Sequence, residues 1–185
     1  MRLFVAIAAP PSWRDHAEGI QHALPERRRR TLRFVHPDEM HITLRFIGEV
    51  EDAEVPALRD ALAQHLPPVD IELRLGRVGT FGAPTRTSVM WLGIEGDLDG
   101  LGALHRRTDD AVGEALGLIA EESYTPHLTL ARVRNRVTAE ERRAIADLAR
   151  GIQVPPEPFQ AREAILVRSH LGDGRPRYET LATYR

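Results

Sequence analysis

The chain has 185 residues and a formal net charge of −2, and hydrophobic residues make up 42% of it and charged residues 28%. This composition is ordinary for a globular protein that is large enough to bury a core. The chain lacks cysteine, and all 25 of its basic residues are arginines. These two facts exclude disulfides, cysteine-based zinc sites, P-loops and ligases with a lysine nucleophile.

The first half of the chain alternates predicted strands and helices. Residues 2–8, RLFVAIA, indicate a buried strand ended by two prolines, and the apolar run is too short for a signal peptide. A helix capped by Ser12 is predicted to run to Leu24, where Pro25 stops it. The other elements predicted for this half are an exposed loop at 26–30, strands at 32–35 and 41–50, and a helix at 52–66.

The second half repeats this alternation. Asp97 or Asp99 begins a long predicted helix that ends near Leu116, and Thr138 with Glu141 forms a capping box for another helix. That helix ends near residue 150. The strands predicted here lie at 71–81, at 87–96, within 121–133, and at 164–170 and 177–185 on either side of a hairpin loop, LGDGRP.

Two segments of the chain share a pattern. From Phe4 to His41, and again from Met90 to His127, a strand is followed 37 residues later by a strand that begins His-x-Thr-Leu. We therefore predict an α+β fold built from a duplicated unit with pseudo-two-fold symmetry. Two mainly antiparallel sheets would line a central cleft with helices packed outside, and residues 1–185 would form a single domain of two lobes with one motif each.

The two His-x-Thr motifs are the candidate chemical site. Side chains alternate along a strand, so His41 and Thr43 share one face, while the aliphatic residues between and after them enter the core. The same holds for His127 and Thr129. If the two strands line one cleft, two imidazoles and two hydroxyls meet there.

Such a set of side chains suits the cleavage of a phosphodiester. A neutral histidine can remove a proton from water, a protonated one can donate to the leaving oxygen, and the hydroxyls can bind non-bridging oxygens. Imidazole reaches both states near neutral pH, so we expect neither a metal nor a cofactor. Spacing and alternation do not say which histidine is the acid.

The motifs and most of the chain resemble a known family. RLFVAIAAP, HITLRFIGEV, YTPHLTLARV and LVRSHLGDGRPRYETL are similar to segments of the 2H phosphoesterases, in particular the RNA 2′,3′-cyclic phosphodiesterases historically called 2′-5′ RNA ligases. The resemblance implies that His41 is the proton donor and His127 the proton acceptor. It also implies that the substrate is an RNA with a 2′,3′-cyclic phosphate end, or a related small cyclic nucleotide, and that the product is a 2′-phosphomonoester.

Two arginines are further candidates for phosphate binding. Arg45 shares the face of His41 by alternation and stands where the family often has lysine. Arg132 is similar to a substrate-binding arginine of the family, but strict alternation puts it on the face opposite His127. A bulge or a strand end would be needed to bring Arg132 into the cleft.

Three other features have both a functional and a structural interpretation. The run Arg27–Arg30 could bind RNA phosphates or be a solvated loop. Phe81 and Tyr178 could stack on a base or pack in the core. Ser169 and His170 could line the cleft or lie at a sheet edge.

Two alternative functions remain open from the sequence. The same histidines could run the reaction backwards as a reversible 2′-5′ RNA ligase acting on tRNA halves. The chain could instead be a non-catalytic RNA-binding module, although a binder needs neither histidine. No stretch approaches the roughly 18–20 apolar residues of a membrane span, and we expect a monomeric cytoplasmic protein.

Overall fold

The strands of this protein form one antiparallel sheet whose order is symmetric about its centre. A computed structural model describes residues 1–170, 172 and 176–185. In that part of the chain the sheet has nine strands: eight follow the order β7-β4-β5-β6-β3-β1-β8-β9, and the ninth, β2, pairs with β6 outside this order. The strands are β1 (Arg2–Ala8), β2 (Leu32–Phe34), β3 (His41–Glu49), β4 (Ile71–Phe81), β5 (Val89–Gly96), β6 (His127–Val133), β7 (Pro158–Ala161), β8 (Ala164–His170) and β9 (Arg177–Tyr184).

The two halves of the sheet meet at its centre. β5, β4 and β7 extend outward from β6, while β1, β8 and β9 extend outward from β3. The halves are joined by the residue pair Ile42 and Leu128. The predicted α+β fold is confirmed, and the two predicted sheets are the two halves of one curled sheet.

The helices cover the outside of the sheet and complete the core. They are α1 (Pro11–Ala23), α2 (Glu26–Arg29), α3 (Val55–His65), α4 (Leu98–Leu116) and α5 (Ala139–Gly151). α4 packs on α3 and β3, and α5 packs on β4. The Trp13 ring of α1 is fully buried, packs edge-on against Phe159 and donates to the Glu157 carbonyl oxygen. Burial of a side chain of this size contributes on the order of 2–3 kcal/mol.

Two predictions at the start of the chain are wrong in detail. Ser12 does not cap α1: the helix begins at Pro11, its N-cap is Pro10, and no side chain caps it. Proline suits this first position because its fixed φ is already helical and it has no N–H to leave unpaired. Residues 26–30 are not a loop either, because Glu26–Arg29 forms the short helix α2.

The helix starts in the second half agree with the predictions. The Asp97 side chain accepts the Gly100 N–H at the start of α4, and Thr138 and Glu141 form both hydrogen bonds of a capping box. β7 was not predicted. The strands β8 and β9 pair as expected, and four residues of the hairpin loop between them, 171 and 173–175, lie outside the described residues.

Within residues 1–170, 172 and 176–185, no helix combines the length and the apolar character that a membrane crossing requires.

The path from β2 to β3 shapes the centre of the sheet. β2 pairs with β6 through Phe34 and Ala131, and the chain then leaves the sheet in a 3₁₀ turn, Pro37–Glu39. It returns beside β6 at the pair Ile42 and Leu128. The turn brings residue 39 next to the first histidine motif.

Candidate active site

Both histidine motifs line one cavity. His41, Thr43, His127 and Thr129 are among the residues around a cavity of about 740 Å³. Ile42 pairs with Leu128 in an antiparallel ladder, so continuing the register by one residue in each direction places each histidine opposite the threonine of the other motif. The sheet therefore brings two imidazoles and two hydroxyls together.

The two imidazole rings are held in the same way. His41 Nδ1 donates to the Glu39 carbonyl oxygen at 2.8 Å, and His127 Nδ1 donates to the Thr125 carbonyl oxygen at 2.7 Å. Each contact fixes the tautomer because a carbonyl oxygen only accepts. Nε2 of each ring is then left to exchange a proton with a substrate.

A β-bulge follows each motif at the same position. In β3, Thr43 and Arg45 pair with consecutive residues of β1, so Leu44 is the extra residue. In β6, Thr129 and Ala131 pair with consecutive residues of β5, so Leu130 is the extra residue. A bulge reverses the alternation of the residues that follow it, and both strands show the same burial pattern, with two buried residues in succession.

The bulges decide which arginine reaches the cavity. Arg132 lines it, because the bulge at Leu130 returns it to the His127 face. Arg45 was predicted on the His41 face, and this prediction is wrong, because the bulge at Leu44 turns its side chain away from the cavity and into the protein.

Arg45 instead belongs to a buried ionic network. Its guanidinium lies 3.1 Å from an Asp109 carboxylate oxygen and 3.5 Å from one of Glu121, and it donates to the Ile119 carbonyl oxygen at 2.7 Å. The Arg45 side chain is 8% exposed. It ties β3 to α4 and to the segment before His127, so its role is structural.

Buried side chains of α1 and α4 bind the carbonyl oxygens of the two bulge residues. Gln21 of α1 donates to the Leu130 carbonyl oxygen at 3.0 Å, and His105 of α4 donates to that of Leu44 at 2.7 Å. Both side chains are buried. Each helix thus holds the bulge of the motif in the other half of the chain, and sequence reasoning found neither residue because neither lies in a motif.

Aromatic rings surround both histidines. His41 stacks on Phe4 with ring centroids 4.6 Å apart, and Tyr178 meets it edge-on at 5.4 Å. On the other side, Phe81 meets His127 edge-on at 4.8 Å, with the Trp91 ring centroid 6.2 Å from that of His127. Phe81 and Tyr178 therefore contact the imidazoles, whether or not they also stack on a base.

The environment lowers the pKa of both imidazoles. Burial is the main cause for His41, whose pKa falls from 6.5 to about 4, and the positive charges of His127 and Arg132 act in the same direction. Burial, followed by the charge of Arg132, also lowers the pKa of His127. The bond to a backbone carbonyl opposes the shift in each case, because it favours the protonated ring.

Some cavity residues were not predicted as site residues. Phe46 stands five positions after His41, as Arg132 does after His127, and it lines the cavity. Arg2 also lines it and lies over the Phe46 ring at 4.9 Å. Identification of the bulges in the sequence would have placed Phe46 on this face.

Among the residues that the structure describes, Glu39 is the acidic one in the lining of this cavity. Its charge, after the larger effect of burial, raises the pKa of Tyr178. Glu39 therefore has two roles near His41, because its backbone carbonyl oxygen also holds the imidazole.

The remaining sequence candidates divide between the cavity and its surroundings. Ser169 lines the cavity, whereas His170 Nε2 lies 2.8 Å from a Glu179 carboxylate oxygen. The run Arg27–Arg30 is not part of the lining. Over the described ranges 1–170, 172 and 176–185, no three His, Cys, Asp or Glu side chains are grouped so that they could hold a metal ion.

The chain is similar to known proteins over nearly its whole length. The model of the 2'-5' RNA ligase superfamily matches residues 9–173. An RNA 2',3'-cyclic phosphodiesterase of Methanothermobacter thermautotrophicus is 30% identical over 190 residues, which cover 100% of this chain and 98% of the relative.

Solved structures of other proteins have the same fold and are similar to this chain in sequence. A crystal structure of a Thermus thermophilus protein superposes with a TM-score of 0.78 and 26% identity, covering 100% of this chain and 97% of that one. The structure of Escherichia coli LigT complexed with 3'-AMP gives a TM-score of 0.75 and 26% identity, covering 99% and 96% of the two chains.

Proposed function

Since the chain belongs to the 2'-5' RNA ligase superfamily, we propose that it is an RNA 2′,3′-cyclic phosphodiesterase, a phosphoric diester hydrolase. Its substrate is an RNA 3′ end that carries a 2′,3′-cyclic phosphate, and its product is a 2′-phosphomonoester. A relative that matches the chain from end to end is an enzyme of this name.

The observation that carries the proposal is the paired arrangement of the histidines. Both rings line one cavity, both use Nδ1 to donate to a backbone carbonyl oxygen, and both keep Nε2 for the substrate. Hydrolysis of a cyclic phosphate needs one group to accept a proton and another to donate one, on opposite sides of the phosphorus. Two imidazoles facing one cavity supply both groups.

The reaction then follows in one displacement. Water attacks the phosphorus as His127 Nε2 accepts its proton. The bond from phosphorus to the 3′ oxygen breaks, and His41 Nε2–H donates a proton to that oxygen. The hydroxyls of Thr43 and Thr129 and the Arg132 guanidinium bind the non-bridging oxygens, where negative charge develops. The assignment of donor and acceptor follows the family resemblance.

The lowered pKa of His41 determines when the donor receives its proton. With a pKa of about 4, His41 is neutral near pH 7 while the cavity holds no anion. A bound phosphodiester carries negative charge beside the ring and raises this pKa, because an anion favours the imidazolium. The proton of the acid catalyst is therefore taken up with the substrate.

Product analysis in labelled water tests the proposed reaction. The purified protein is incubated with EDTA and an oligoribonucleotide that ends in a 2′,3′-cyclic phosphate, in water enriched in oxygen-18. We expect a 2′-phosphomonoester with one labelled oxygen on phosphorus. A 3′-phosphomonoester would overturn the proposed position of the leaving oxygen, and loss of turnover in EDTA would overturn the two-histidine mechanism.

Two other outcomes would identify the alternative functions. Joining of the cyclic end to the 5′ hydroxyl of a second RNA, in preference to hydrolysis, would identify a ligase. Binding of the oligonucleotide without any turnover would identify an RNA-binding module.

A further inference from the structure

A second cavity continues directly from the candidate active site. Its volume is about 490 Å³. Arg33 and Phe34 of β2 line both this cavity and the one that contains the histidines. The two spaces are therefore neighbours that meet at β2, and a chain-like ligand bound in the first can extend into the second.

The second cavity is strongly basic, and we call it the arginine groove. Of the seven described residues that line it, one is acidic, Glu26, and four are arginines, namely Arg29, Arg30, Arg33 and Arg134. All four are exposed. The whole chain has a net charge of −2, so this positive charge is a local feature suited to a polyanion.

The short helix α2 divides the arginine run of the sequence between two surfaces. Arg29 and Arg30 line the groove. Arg27 is exposed and lies near the carboxylate of Glu141, whose pKa it helps to lower after the hydrogen bonds from Thr138. Arg27 is absent from the lining of the groove, so only part of the run faces it.

The positive charges continue from the groove into the active site. Arg33 pairs with Arg132 across the β2–β6 ladder, which puts their Cα atoms within about 5.5 Å of each other. Arg132 lines the cavity of the two histidines. Guanidinium groups thus follow one another from the proposed phosphodiester position, past β2, to α2.

We propose, resting on the proposed function, that the arginine groove binds the RNA strand upstream of the cyclic end. The guanidinium groups contact successive backbone phosphates, and Phe34, at the junction, offers a ring to the base next to the reacting nucleotide. The ion pair of Arg30 with Glu26, 2.6 Å long and fully on the surface, contributes little and exchanges readily for a phosphate.

The consequence is a preference for oligonucleotides over mononucleotides. The test compares kcat/KM for 2′,3′-cyclic AMP with kcat/KM for an oligoribonucleotide of about eight residues with the same cyclic end, a length typical of single-strand sites. We expect Arg29→Ala and Arg134→Ala each to lower the ratio of oligonucleotide to mononucleotide kcat/KM at least fivefold. The salt dependence of the oligonucleotide reaction should fall by about 0.7 in log–log slope for each arginine removed.

Arg27→Ala is the matched control, because it removes the same charge from the same helix on another surface. The ratio of oligonucleotide to mononucleotide kcat/KM for Arg27→Ala should equal that of the wild type. An unchanged ratio in Arg29→Ala, or an equal loss in Arg27→Ala, would overturn the groove proposal. Failure of the wild type to hydrolyse either substrate would overturn the proposed function instead. Fluorescence anisotropy with a labelled oligonucleotide measures RNA binding by the same variants separately from their turnover.

Discussion

Leu44 and Leu130 are the extra residues of two equivalent β-bulges, each placed one residue after a His-x-Thr motif. The chain has duplicated the irregularity of the strand together with the chemical motif. Each bulge sends two neighbouring residues to opposite sides of the sheet. The residue directly after the bulge enters the protein interior, and the next residue faces the cavity.

Arg45 and Arg132 should therefore respond differently to mutation. Arg45→Ala leaves the buried Asp109 carboxylate without its cation and should lower the free energy of unfolding by about 3–5 kcal/mol. Arg132→Ala removes an exposed side chain and should lower kcat while changing the unfolding energy by less than about 0.5 kcal/mol. Chemical denaturation and steady-state kinetics of both variants provide the test. Loss of activity without loss of stability in Arg45→Ala would contradict the assignment.

The side chains that bind the bulge carbonyls should be needed for stability. His105→Leu and Gln21→Leu each remove a buried hydrogen bond to a bulge residue and should cost about 1–3 kcal/mol. Both should also lower kcat, because each bulge orients the strand that carries a histidine. Gln64→Leu, at an exposed position of α3, is the control and should change neither the free energy of unfolding nor kcat. Normal kcat in both buried variants would show that the bulges do not depend on these bonds.

Gly79 makes room for the Trp91 ring beside His127. A Cβ atom at this position would overlap the indole ring, so the ring would have to shift. Gly79→Ala should displace Trp91 and lower kcat at least tenfold. Gly19→Ala is a suitable control, because a Cβ at this exposed helical position meets nothing within 4 Å and should slightly raise the melting temperature. Equal kcat for the two variants would argue against a role for Trp91 in holding His127.

The imidazole pKa values should depend on the bound anion. We expect His41 to titrate near pH 4 in the ligand-free protein and His127 below its ordinary 6.5. Addition of phosphate should raise both values. Two-dimensional NMR of the histidine rings measures these shifts directly. A ligand-free His41 that titrates at 6.5 or above would contradict the burial of this ring.

The same values set the direction of the pH–rate profiles. The donor, His41, loses its proton as the pH rises above its lowered pKa. The acceptor, His127, stays neutral to a lower pH because its pKa is also lowered. The optimum of kcat/KM should therefore lie below pH 6.5. The profile of kcat reports the complex and should lie at higher pH. If kcat/KM instead reached its optimum at a higher pH than kcat, the predicted order of the two profiles would be wrong.

The strands that carry the histidines were predictable because their pattern is local. Alternation placed His41 with Thr43 and His127 with Thr129, and the duplicated spacing indicated that both strands belong to one cleft. The bulges were not predicted because Leu44 and Leu130 are apolar and fit an unbroken alternation. In β6 a signal does exist: strict alternation buries Arg132 and exposes Val133, which is an unfavourable arrangement that a change of phase removes.

Other parts of the structure depend on contacts that are distant in sequence. β7 begins at Pro158 within a proline-rich segment, which argues against a strand, but β7 lies at the edge of the sheet, where proline is tolerated. The roles of His105 and Gln21 could not be predicted, because their partners are 61 and 109 positions away in the sequence.

The most direct test of the central claim is the turnover of the 2′,3′-cyclic oligonucleotide by His41→Ala, His127→Ala and the double variant, with folding checked by circular dichroism. The paired mechanism predicts that each single variant loses at least about a hundredfold in kcat. The double variant should lose little more than either single one, because the two imidazoles act as a unit. A folded single variant that keeps more than about a tenth of wild-type kcat would contradict catalysis by this pair.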